Sequence, residues 1–274
     1  MKLREIYQDL RFFIKYARRG WIIVRSPAGA LAFGGPVSKA RVFGRGKGLE
    51  VHYFKNREFL FAEFLAQKQY LRELRKYSQN IRARAGDRHL YVLDLGANVG
   101  FFSVLANLLL GKLNPHFIAF EPFSENRKLC GENCAKNGLT FTVRSEALSN
   151  QDGEDQRLEM ISTTGATINP KEASSYREET GLPTPLGESV QVNRLDSLWG
   201  NLGIPRVDLI KMDIEGSEEW ALEGAQETIR KFKPIIFCSY EHYQNSKKEI
   251  LATVLAAHPY SVHDNQKNKI LTFF

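Results

Sequence analysis

The amino-acid sequence predicts an α/β fold: a doubly wound, mostly parallel sheet with a C-terminal antiparallel hairpin and a mostly helical N-terminal extension. From Leu90 onward, short apolar runs alternate with helical patterns, which is typical of a parallel sheet with helices on both faces. The last two runs, Tyr260 to His263 and Lys269 to Phe274, are separated only by the polar turn Asp264 to Asn268, which predicts the hairpin. With 274 residues, 43% hydrophobic and 25% charged, the chain is globular in composition, which excludes fibrous and wholly disordered classes.

The charge distribution divides the chain near residue 88. Residues 1 to 88 carry 20 Lys+Arg against 7 Asp+Glu, whereas residues 89 to 274 carry 18 against 24. Apolar residues from Leu3 to Trp21 recur at helical spacing opposite a basic face, which predicts an amphipathic helix. A basic extension indicates an anionic partner. The helix suits either packing on the domain or peripheral contact of residues 1–25 with an anionic membrane surface.

For the rest of the extension, the sequence predicts loops and short strands from Ser26 to Gly48, a second helix from about Arg57 to Tyr77, and a loop from Ser78 to Arg88. No apolar run reaches the 18 residues of a membrane span, and the first residues lack the pattern of a signal peptide. The 3 scattered cysteines suit a reducing compartment. We therefore expect a cytoplasmic protein, with peripheral contact at the inner face of a membrane left open. The cysteines are expected to be core residues: Cys130, Cys134 and Cys238.

The predicted catalytic domain spans residues 89–274 and follows the 1–88 extension. Its core strands are predicted at Leu90 to Leu95, Phe117 to Glu121, Thr140 to Arg144, Val207 to Met212 and Pro234 to Tyr240. Its helices are predicted at Val99 to Leu110, Ser124 to Asn137, Ser217 to Phe232 and Lys247 to Ala257. Residues 150–199 are too long for a normal crossover and include candidate strands at Leu158 to Ile161 and Ser189 to Asn193. We expect this insertion to cover the substrate.

The strongest local signal is an apolar strand that ends in a glycine turn and enters a helix, VLDLGANVGFFS at residues 92–103. A glycine turn at the carboxyl end of a strand lets the backbone approach a ligand closely. Glu121, 21 residues after Gly100, ends the next strand, where a carboxylate accepts hydrogen bonds from two ribose hydroxyls. The two features together predict a nucleoside-binding crevice.

The glycine spacing decides which nucleoside fits. A dinucleotide site needs G-x-G-x-x-G so that the backbone can touch a pyrophosphate, but Asn98 and Phe101 occupy the second and third glycine positions. A ligand without phosphate fits better. S-adenosylmethionine offers a ribose, an adenine and an amino-acid end that polar backbone and Asp94 can hold. The sequence therefore favours S-adenosylmethionine, with a dehydrogenase as the weaker alternative.

A second signal is VDLIKMDIEGSE at residues 207–218, an apolar strand that becomes charged at its carboxyl end. Burying Lys211 inside such a strand is costly unless the ammonium is paired, and its expected partner is Asp213 or Glu215. A charged cluster at this end of a sheet is typical of a ligand site. The alternative is a structural ion pair, with Glu218 capping the following helix.

VLDLGANVGFFS, FEPFSEN and VDLIKMDIEGSE, in that order and spacing, resemble the FkbM-type S-adenosylmethionine-dependent methyltransferases. The resemblance covers about Tyr91 to Tyr243, and its specific part is the run Lys211-x-Asp213-x-Glu215-Gly216. It implies a class I, Rossmann-like methyltransferase domain with a seven-stranded doubly wound sheet and S-adenosyl-L-methionine as cofactor. It also implies O-methylation of a hydroxyl on a sugar, glycolipid, polysaccharide or secondary metabolite.

The resemblance further implies the cofactor site. The glycine turn would line the methionine end, Glu121 would hold the ribose, and residues 145–149 match the adenine side. The predicted cofactor-binding residues are Asp94, Gly96, Ala97, Asn98, Gly100, Phe101, Ser103, Glu121, Pro122, Glu146, Ala147 and Asp213.

Methyl transfer to a hydroxyl requires a base that removes the hydroxyl proton. His242 needs the smallest pKa change to act near neutral pH, but a histidine at a strand end also packs there for structural reasons. We favour Asp213 as the residue nearest the transferring methyl, with Lys211 fixing it or polarising the acceptor. Asp213 and Glu241 could together hold magnesium, although no spacing requires a metal. The predicted catalytic residues are Asp213, Lys211, Glu215, Glu241 and His242.

Two other functions are compatible with the sequence. The basic extension suits an RNA-modifying methyltransferase. Enzymes of this fold that methylate exocyclic base nitrogens, however, carry Asn or Asp followed by Pro-Pro and an aromatic, where this chain has Asp213-Ile214-Glu215-Gly216. The acidic body is also a poor surface for phosphate, so DNA is not an expected partner. The second alternative is a non-catalytic module that only binds S-adenosylmethionine.

Overall fold

A computed structural model of the protein describes residues 23–25, 37–44, 47–54, 69–70, 72–86, 88–153, 155–160, 165–180, 187–240 and 246–274, the first three segments as backbone alone. The amphipathic helix predicted from Leu3 to Trp21 lies outside these residues. Of the second predicted helix, residues 69–70 and 72–76 are described and are helical. No helix in the described segments has the length and apolar character needed to cross a membrane.

The strands, in chain order, are β1 Ile23–Arg25, β2 Val37–Gly44, β3 Lys47–Phe54, β4 Tyr91–Leu95, β5 His116–Phe120, β6 Thr140–Arg144, β7 Ala147–Leu148, β8 Asp155–Met160, β9 Ala166–Thr167, β10 Glu188–Asn193, β11 Leu209–Met212, β12 Ile235–Ser239, β13 Val262–Asn265 and β14 Ile270–Phe273. The α-helices are α1 Ser78–Ala85, α2 Phe101–Leu110, α3 Ser124–Lys136, α4 Pro170–Thr180, α5 Leu195–Leu198, α6 Glu218–Glu223, α7 Gln226–Phe232 and α8 Ser246–Ala257. Short 3-10 helices lie at Gly111–Leu113 and Trp199–Asn201.

The central feature is a seven-stranded sheet in the order β13-β14-β12-β11-β4-β5-β6. The pairs β12–β11, β11–β4, β4–β5 and β5–β6 are parallel, whereas β14 pairs antiparallel with both β12 and β13. This arrangement confirms the predicted doubly wound sheet and its C-terminal hairpin. All five predicted core strands are present within two residues of their predicted bounds.

Helices cover both faces of this sheet because its central strands are apolar on both sides. Along β11, Leu209 faces one core cluster while Ile210 and Met212 face the other. Helices α2 and α3 pack on the first face and α6, α7 and α8 on the second. Cys130 and Cys134 lie in the first cluster and Cys238 in the second, all as free buried thiols, which confirms that they are core residues.

The predicted loop from Ser78 to Arg88 is wrong, because helix α1 occupies most of it. Ile81 and Ala85 are buried on its inner side and join the first core cluster. The preceding helical residues are fixed by the buried Glu73 carboxylate, which accepts hydrogen bonds from Asn265 Nδ2 at 2.8 Å and Thr272 Oγ1 at 3.1 Å. Tyr70 and residues 72–85 are therefore packed against the C-terminal hairpin and the sheet.

The single helix predicted from Ser217 to Phe232 is two helices, α6 and α7, separated by Gly224 and Ala225. The side chain of Asp196 explains why a second helix, α7, begins after Ala225. Its two oxygens accept the amides of Glu227 at 2.9 Å and Thr228 at 2.8 Å. A carboxylate that accepts first-turn amides caps a helix, so α7 begins as a new helix.

The insertion of residues 150–199 contributes β8, β9, β10 and helix α4, and its strands join β7, which precedes it, in a small sheet of order β7-β10-β8-β9. Strands β8 and β10 confirm the two predicted strands within the described residues. A separate apolar cluster joins this sheet to the domain: Ala147, Leu158, Ile168, Val190 and Val192. The insertion is therefore a packed subdomain beside the carboxyl ends of β4 and β5.

Candidate active site

The glycine turn after β4 lies between the ends of the neighbouring strands β5 and β11. The amides of Gly96 and Ala97 both donate to Phe120 O, at 3.0 Å each. Gly96 has a φ of +74°, and a Cβ at this position would overlap the carbonyl oxygen of Asp213. Only glycine supplies both the left-handed backbone and the missing side chain, so β4 and β11 can end side by side.

A buried ion pair lies behind this turn. Lys211 Nζ is 3.3 Å from Asp94 Oδ1 and donates to Gly96 O at 2.6 Å, while Ser103 Oγ donates to Asp94 Oδ2 at 2.6 Å. Both charged side chains are at most 1% exposed, and the Tyr70 ring lies 5.6 Å from Nζ. The ion pair therefore fixes the strand end, the glycine turn and the first turn of α2 relative to one another.

Lys211 forms an ion pair with Asp94, a partner that the sequence analysis did not predict. In the parallel register of β4 and β11, Lys211 lies directly beside Asp94. Lys211 thus supports the cofactor turn from behind. Side chains that lie next to each other on neighbouring strands are close together. Strand pairing, and not nearness in sequence, therefore brings Asp94 to Lys211.

Glu121 lies at the end of β5 and faces the glycine turn. Its carboxylate accepts the Asn98 amide at 2.8 Å and the Phe123 amide at 3.0 Å. Burial raises the pKa of Glu121 to about 7, and these hydrogen bonds together with the charges of Lys211 and Arg127 offset only part of that rise. The carboxylate is therefore held rigidly and titrates near neutral pH.

The chain turns sharply after β11. The Asp213 amide donates to Leu95 O at 3.1 Å, and the Ile214 amide donates to Glu218 Oε1 at 2.8 Å. Glu218 thus fixes the turn that precedes α6, whereas no side-chain hydrogen bond from the described residues caps the amino end of that helix. Glu215 is held at φ +55°, a left-handed conformation that is uncommon for a non-glycine residue and typical of functional turns.

The insertion is bound to this turn through Asn169. Its Nδ2 donates to Gly216 O at 2.6 Å, and its Oδ1 accepts the Lys171 amide at 3.0 Å, which caps α4. The sequence analysis missed this residue. Asn followed by Pro170 at a helix start is the signal that identifies the cap, although it says nothing of the bond to Gly216.

These elements line a pocket at the carboxyl edge of the sheet. It brings together eight of the predicted residues: Gly96, Asn98, Glu121, Pro122, Glu146, Ala147, Asp213 and Glu215. Residues that sequence reasoning missed complete the wall: Leu95, Phe120, Leu148, Leu158, Gly165, Ala166, Ile168, Ile214 and Ser217. Four of these, Leu158, Gly165, Ala166 and Ile168, come from the insertion.

The pocket wall suits a polar nucleoside ligand. Asn98 Oδ1 and Ser217 Oγ are buried and have no hydrogen-bond partner among the described residues. Because buried polar atoms are normally paired, two such atoms in one wall indicate a ligand that pairs with them. Glu146 is oriented by its ion pair with Arg144, and apolar side chains such as Ile214 supply flat contact area. The residues present therefore fit S-adenosylmethionine.

The other predicted site residues lie outside the wall. Asp94, Ser103 and Lys211 are buried behind the glycine turn, and Ala97, Gly100 and Phe101 form the turn and the start of α2. Glu241 and His242 fall outside the residues that the structure describes. Across the described segments, no group of three or more His, Cys, Asp or Glu side chains is placed to hold a metal ion.

Comparison with known proteins places the chain in a family. The sequence profile of the Methyltransferase FkbM domain matches residues 94–262, more than half of the chain. The chain is 26% identical to 2-O-methyltransferase NoeI of Sinorhizobium fredii over 54% of its own length and 62% of that protein. It is 25% identical to 31-O-demethyl-FK506 methyltransferase FkbM of Streptomyces tacrolimicus over 62% of its length and 69% of that protein.

A solved structure is also similar, the methyltransferase FkbM from Methylobacillus flagellatus KT. Its TM-score is 0.44 at 20% identity, and the match covers 68% of this chain and 44% of that one. The chain thus spans less than two thirds of NoeI and less than half of the M. flagellatus protein. From the profile match, the chain belongs to the FkbM methyltransferase domain family, and its cofactor is S-adenosylmethionine.

Proposed function

We propose that the protein transfers a methyl group to a hydroxyl oxygen of a sugar, glycolipid, polysaccharide or secondary metabolite. The observation that carries this proposal is the half-buried Asp213 carboxylate in the pocket wall, beside the glycine turn. No described side chain forms a hydrogen bond or ion pair with it, so it is available to an acceptor hydroxyl. Two relatives, 2-O-methyltransferase NoeI and the 31-O-demethyl-FK506 methyltransferase of S. tacrolimicus, are named for methylation of an oxygen, which supports the same reaction.

In this proposal the cofactor lies along the pocket from the glycine turn to β7. Glu121 accepts the two ribose hydroxyls, because its oxygens are held in place by two backbone amides and face the crevice. Asn98 and the Gly96 backbone hold the amino-acid end, and Glu146 with Ala147 borders the adenine. Asp94 and Lys211 keep the turn in position without touching the cofactor.

The titration of Glu121 predicts how cofactor affinity depends on pH. Because its pKa is raised to about 7, the fraction of carboxylate that is protonated grows as pH falls through 7, and a protonated oxygen accepts ribose hydroxyls poorly. If only the ionised form binds, affinity at pH 6 is about tenfold lower than at pH 8. The probe is 5′-methylthioadenosine, which has the ribose but neither the amino nor the carboxyl group of the cofactor, titrated by calorimetry.

The matched variant is Glu121→Gln, which keeps the size of the side chain and removes its titration. We expect it to bind 5′-methylthioadenosine more weakly than the wild type at pH 8 and with no change between pH 6 and pH 8. Equal wild-type affinity at the two pH values would remove Glu121 from ribose binding.

The proposed reaction is an in-line displacement, for which S-adenosylmethionine supplies a methyl group on a positively charged sulfur. The acceptor oxygen forms the new bond to the methyl carbon while the carbon–sulfur bond breaks and its electron pair stays on sulfur. Asp213 takes the hydroxyl proton. Orienting the reacting atoms in the pocket lowers the activation free energy by about 7 to 11 kcal/mol. Removal of the proton by the base lowers it further as the bond forms.

Asp213→Ala is expected to abolish transfer, because the carboxylate that takes the hydroxyl proton in this proposal is removed. The assay uses S-adenosylmethionine labelled in its methyl group with lipid, polysaccharide and small-molecule fractions, and scores label in base-stable ether linkage. S-adenosylhomocysteine affinity and thermal unfolding should stay near wild type, because the Asp213 side chain supports neither the ion pair nor the turn. Asp155→Ala, an exposed aspartate of β8, is the control and should keep full activity.

Wild-type turnover in Asp213→Ala would remove Asp213 from the chemistry. Cofactor binding by the wild type with no labelled product in any fraction would favour the non-catalytic module. Label in RNA would favour the nucleic-acid enzyme.

A further inference from the structure

The acidic body of the protein is not acidic on every side. Five short segments precede β4, β5, β11, β12 and β13: residues 86–90, 111–115, 203–207, 230–234 and 256–260. The buried Asp208 lies between the third segment and β11. Within residues 89–274 these segments hold 5 of the 18 Lys+Arg and none of the 24 Asp+Glu. The rest of residues 89–274 therefore carries 13 basic against 24 acidic residues. Charge is separated within the domain as well as along the chain.

The sheet order brings these segments side by side. Strands β12, β11, β4 and β5 are neighbours and parallel, and β13 runs in the same direction beyond β14. Their amino ends consequently meet at one edge. With about 4.8 Å between strands, the row from β13 to β5 is about 24 Å long. The amino edge of the sheet is therefore an extended strip of surface to which several segments contribute.

Six exposed basic side chains lie along this strip, and we name it the basic edge: Arg82, Arg88, Lys112, Arg230, Lys231 and Lys233. Arg82 belongs to the last turn of α1, and Arg230 and Lys231 to the last turn of α7. Asp208 is the nearby carboxylate, and it is buried and paired with Arg206 at 2.7 Å. Asp87, the acidic residue in the sequence of these segments, lies outside the described residues.

Hydrogen bonds hold the basic edge together. Arg84 Nη2 donates to Phe232 O at 2.6 Å, which joins α1 to the end of α7. Arg206 Nη2 donates to His89 O at 2.7 Å, which joins the segments before β11 and β4. The positive field is felt by His258, whose pKa is lowered by burial and then by Lys233 and Arg84. The segments that carry the basic side chains are thus joined to one another.

We propose that the basic edge docks the protein on an anionic lipid surface. A row of exposed Lys and Arg side chains, with no exposed carboxylate among the described residues of the five segments, is complementary to a plane of lipid phosphates, to which each basic residue adds attraction. Helix α1, which ends the basic extension of residues 1–88, itself lies at this edge, where Arg84 binds the end of α7. The proposal concerns docking and does not depend on the methyl acceptor.

The position of the pocket favours a lipid surface over a nucleic acid. The pocket lies at the carboxyl edge of the same strands, about 16 Å away along a five-residue strand. A nucleic-acid substrate bound at the basic edge would have its bases at the wrong end of the sheet. A membrane at this edge needs no access to the pocket and leaves the pocket open to the aqueous side.

The test uses the full chain and sedimentation with vesicles of 30% phosphatidylglycerol and 70% phosphatidylcholine in 100 mM NaCl. The edge variant is Arg82→Gln, Arg88→Gln, Arg230→Gln and Lys231→Gln combined. The control variant removes four exposed charges elsewhere, Lys128→Gln, Arg157→Gln, Lys248→Gln and Lys267→Gln, so both variants have the same net charge. Calorimetry with S-adenosylhomocysteine confirms that each variant keeps its fold.

We expect the edge variant to lose at least about tenfold in vesicle partitioning while the control variant stays within about twofold of wild type. Wild-type binding should fall as salt rises and vanish on pure phosphatidylcholine. Equal partitioning of the two variants would overturn the proposal. A 20-nucleotide RNA whose binding is lost in the edge variant, with vesicle binding unchanged, would overturn it in favour of a nucleic-acid surface.

Discussion

Gly96→Ala is expected to abolish cofactor binding and to lower the free energy of unfolding by more than about 3 kcal/mol. The residue is held at φ +74°, which alone costs an alanine about 1 to 2 kcal/mol. The added Cβ would also overlap Asp213 O, so β4 and β11 would have to separate at the edge that forms the pocket. Urea unfolding and S-adenosylhomocysteine titration measure the two effects.

Gly138→Ala separates the cost of backbone strain from the cost of overlap. Gly138 also has a positive φ, +64°, but a Cβ there would meet no atom within 4 Å. Its substitution should cost about 1 kcal/mol and leave cofactor affinity unchanged. If Gly96→Ala lowered the free energy of unfolding no more than Gly138→Ala does, the close contact with Asp213 would not be the reason that position 96 requires glycine.

Lys211→Met is expected to destabilise the protein by about 3 to 5 kcal/mol, because it leaves the Asp94 carboxylate buried without its cation. Asp94 Oδ1 accepts no hydrogen bond in the described part of the chain, so the ammonium 3.3 Å away is what compensates its burial. The same change removes the hydrogen bond to Gly96 O and should weaken cofactor binding through the turn.

The double variant Lys211→Met with Asp94→Asn tests whether the pair acts as a unit. Removing both charges should recover part of the stability lost in Lys211→Met, since a neutral amide still accepts the Ser103 hydrogen bond. Denaturant unfolding of the four proteins gives the coupling energy. Additive losses, with no recovery in the double variant, would show that the two charges do not compensate each other.

The core strands were predictable because their signals are local. Leu209 to Met212 and Val92 to Leu95 read as apolar runs bounded by turn residues, and a parallel strand buried on both faces must have that composition. The cofactor crevice was predictable for the same reason. The glycine turn and Glu121 each end a strand, and parallel strands that are neighbours place their carboxyl ends together.

The contacts that were missed all depend on residues distant in sequence. Lys211 and Asp94 are 117 positions apart and meet only because β4 and β11 are neighbours in register. Asn169 reaches Gly216 from an insertion whose fold has no strong local pattern. Helix α1 was predicted as a loop because its sequence is polar, and the burial of Ile81 and Ala85 against the domain decides its structure.

The central claim is that the carboxyl edge of β4, β5 and β11 holds S-adenosylmethionine, and calorimetric titration of the full chain with S-adenosylhomocysteine tests it most directly. We predict saturable one-to-one binding with a Kd on the order of 10 μM, weakened in Glu121→Gln and lost in Gly96→Ala. Absence of saturable binding by the folded wild-type protein at about 1 mM ligand, or full affinity in Gly96→Ala, would contradict the account.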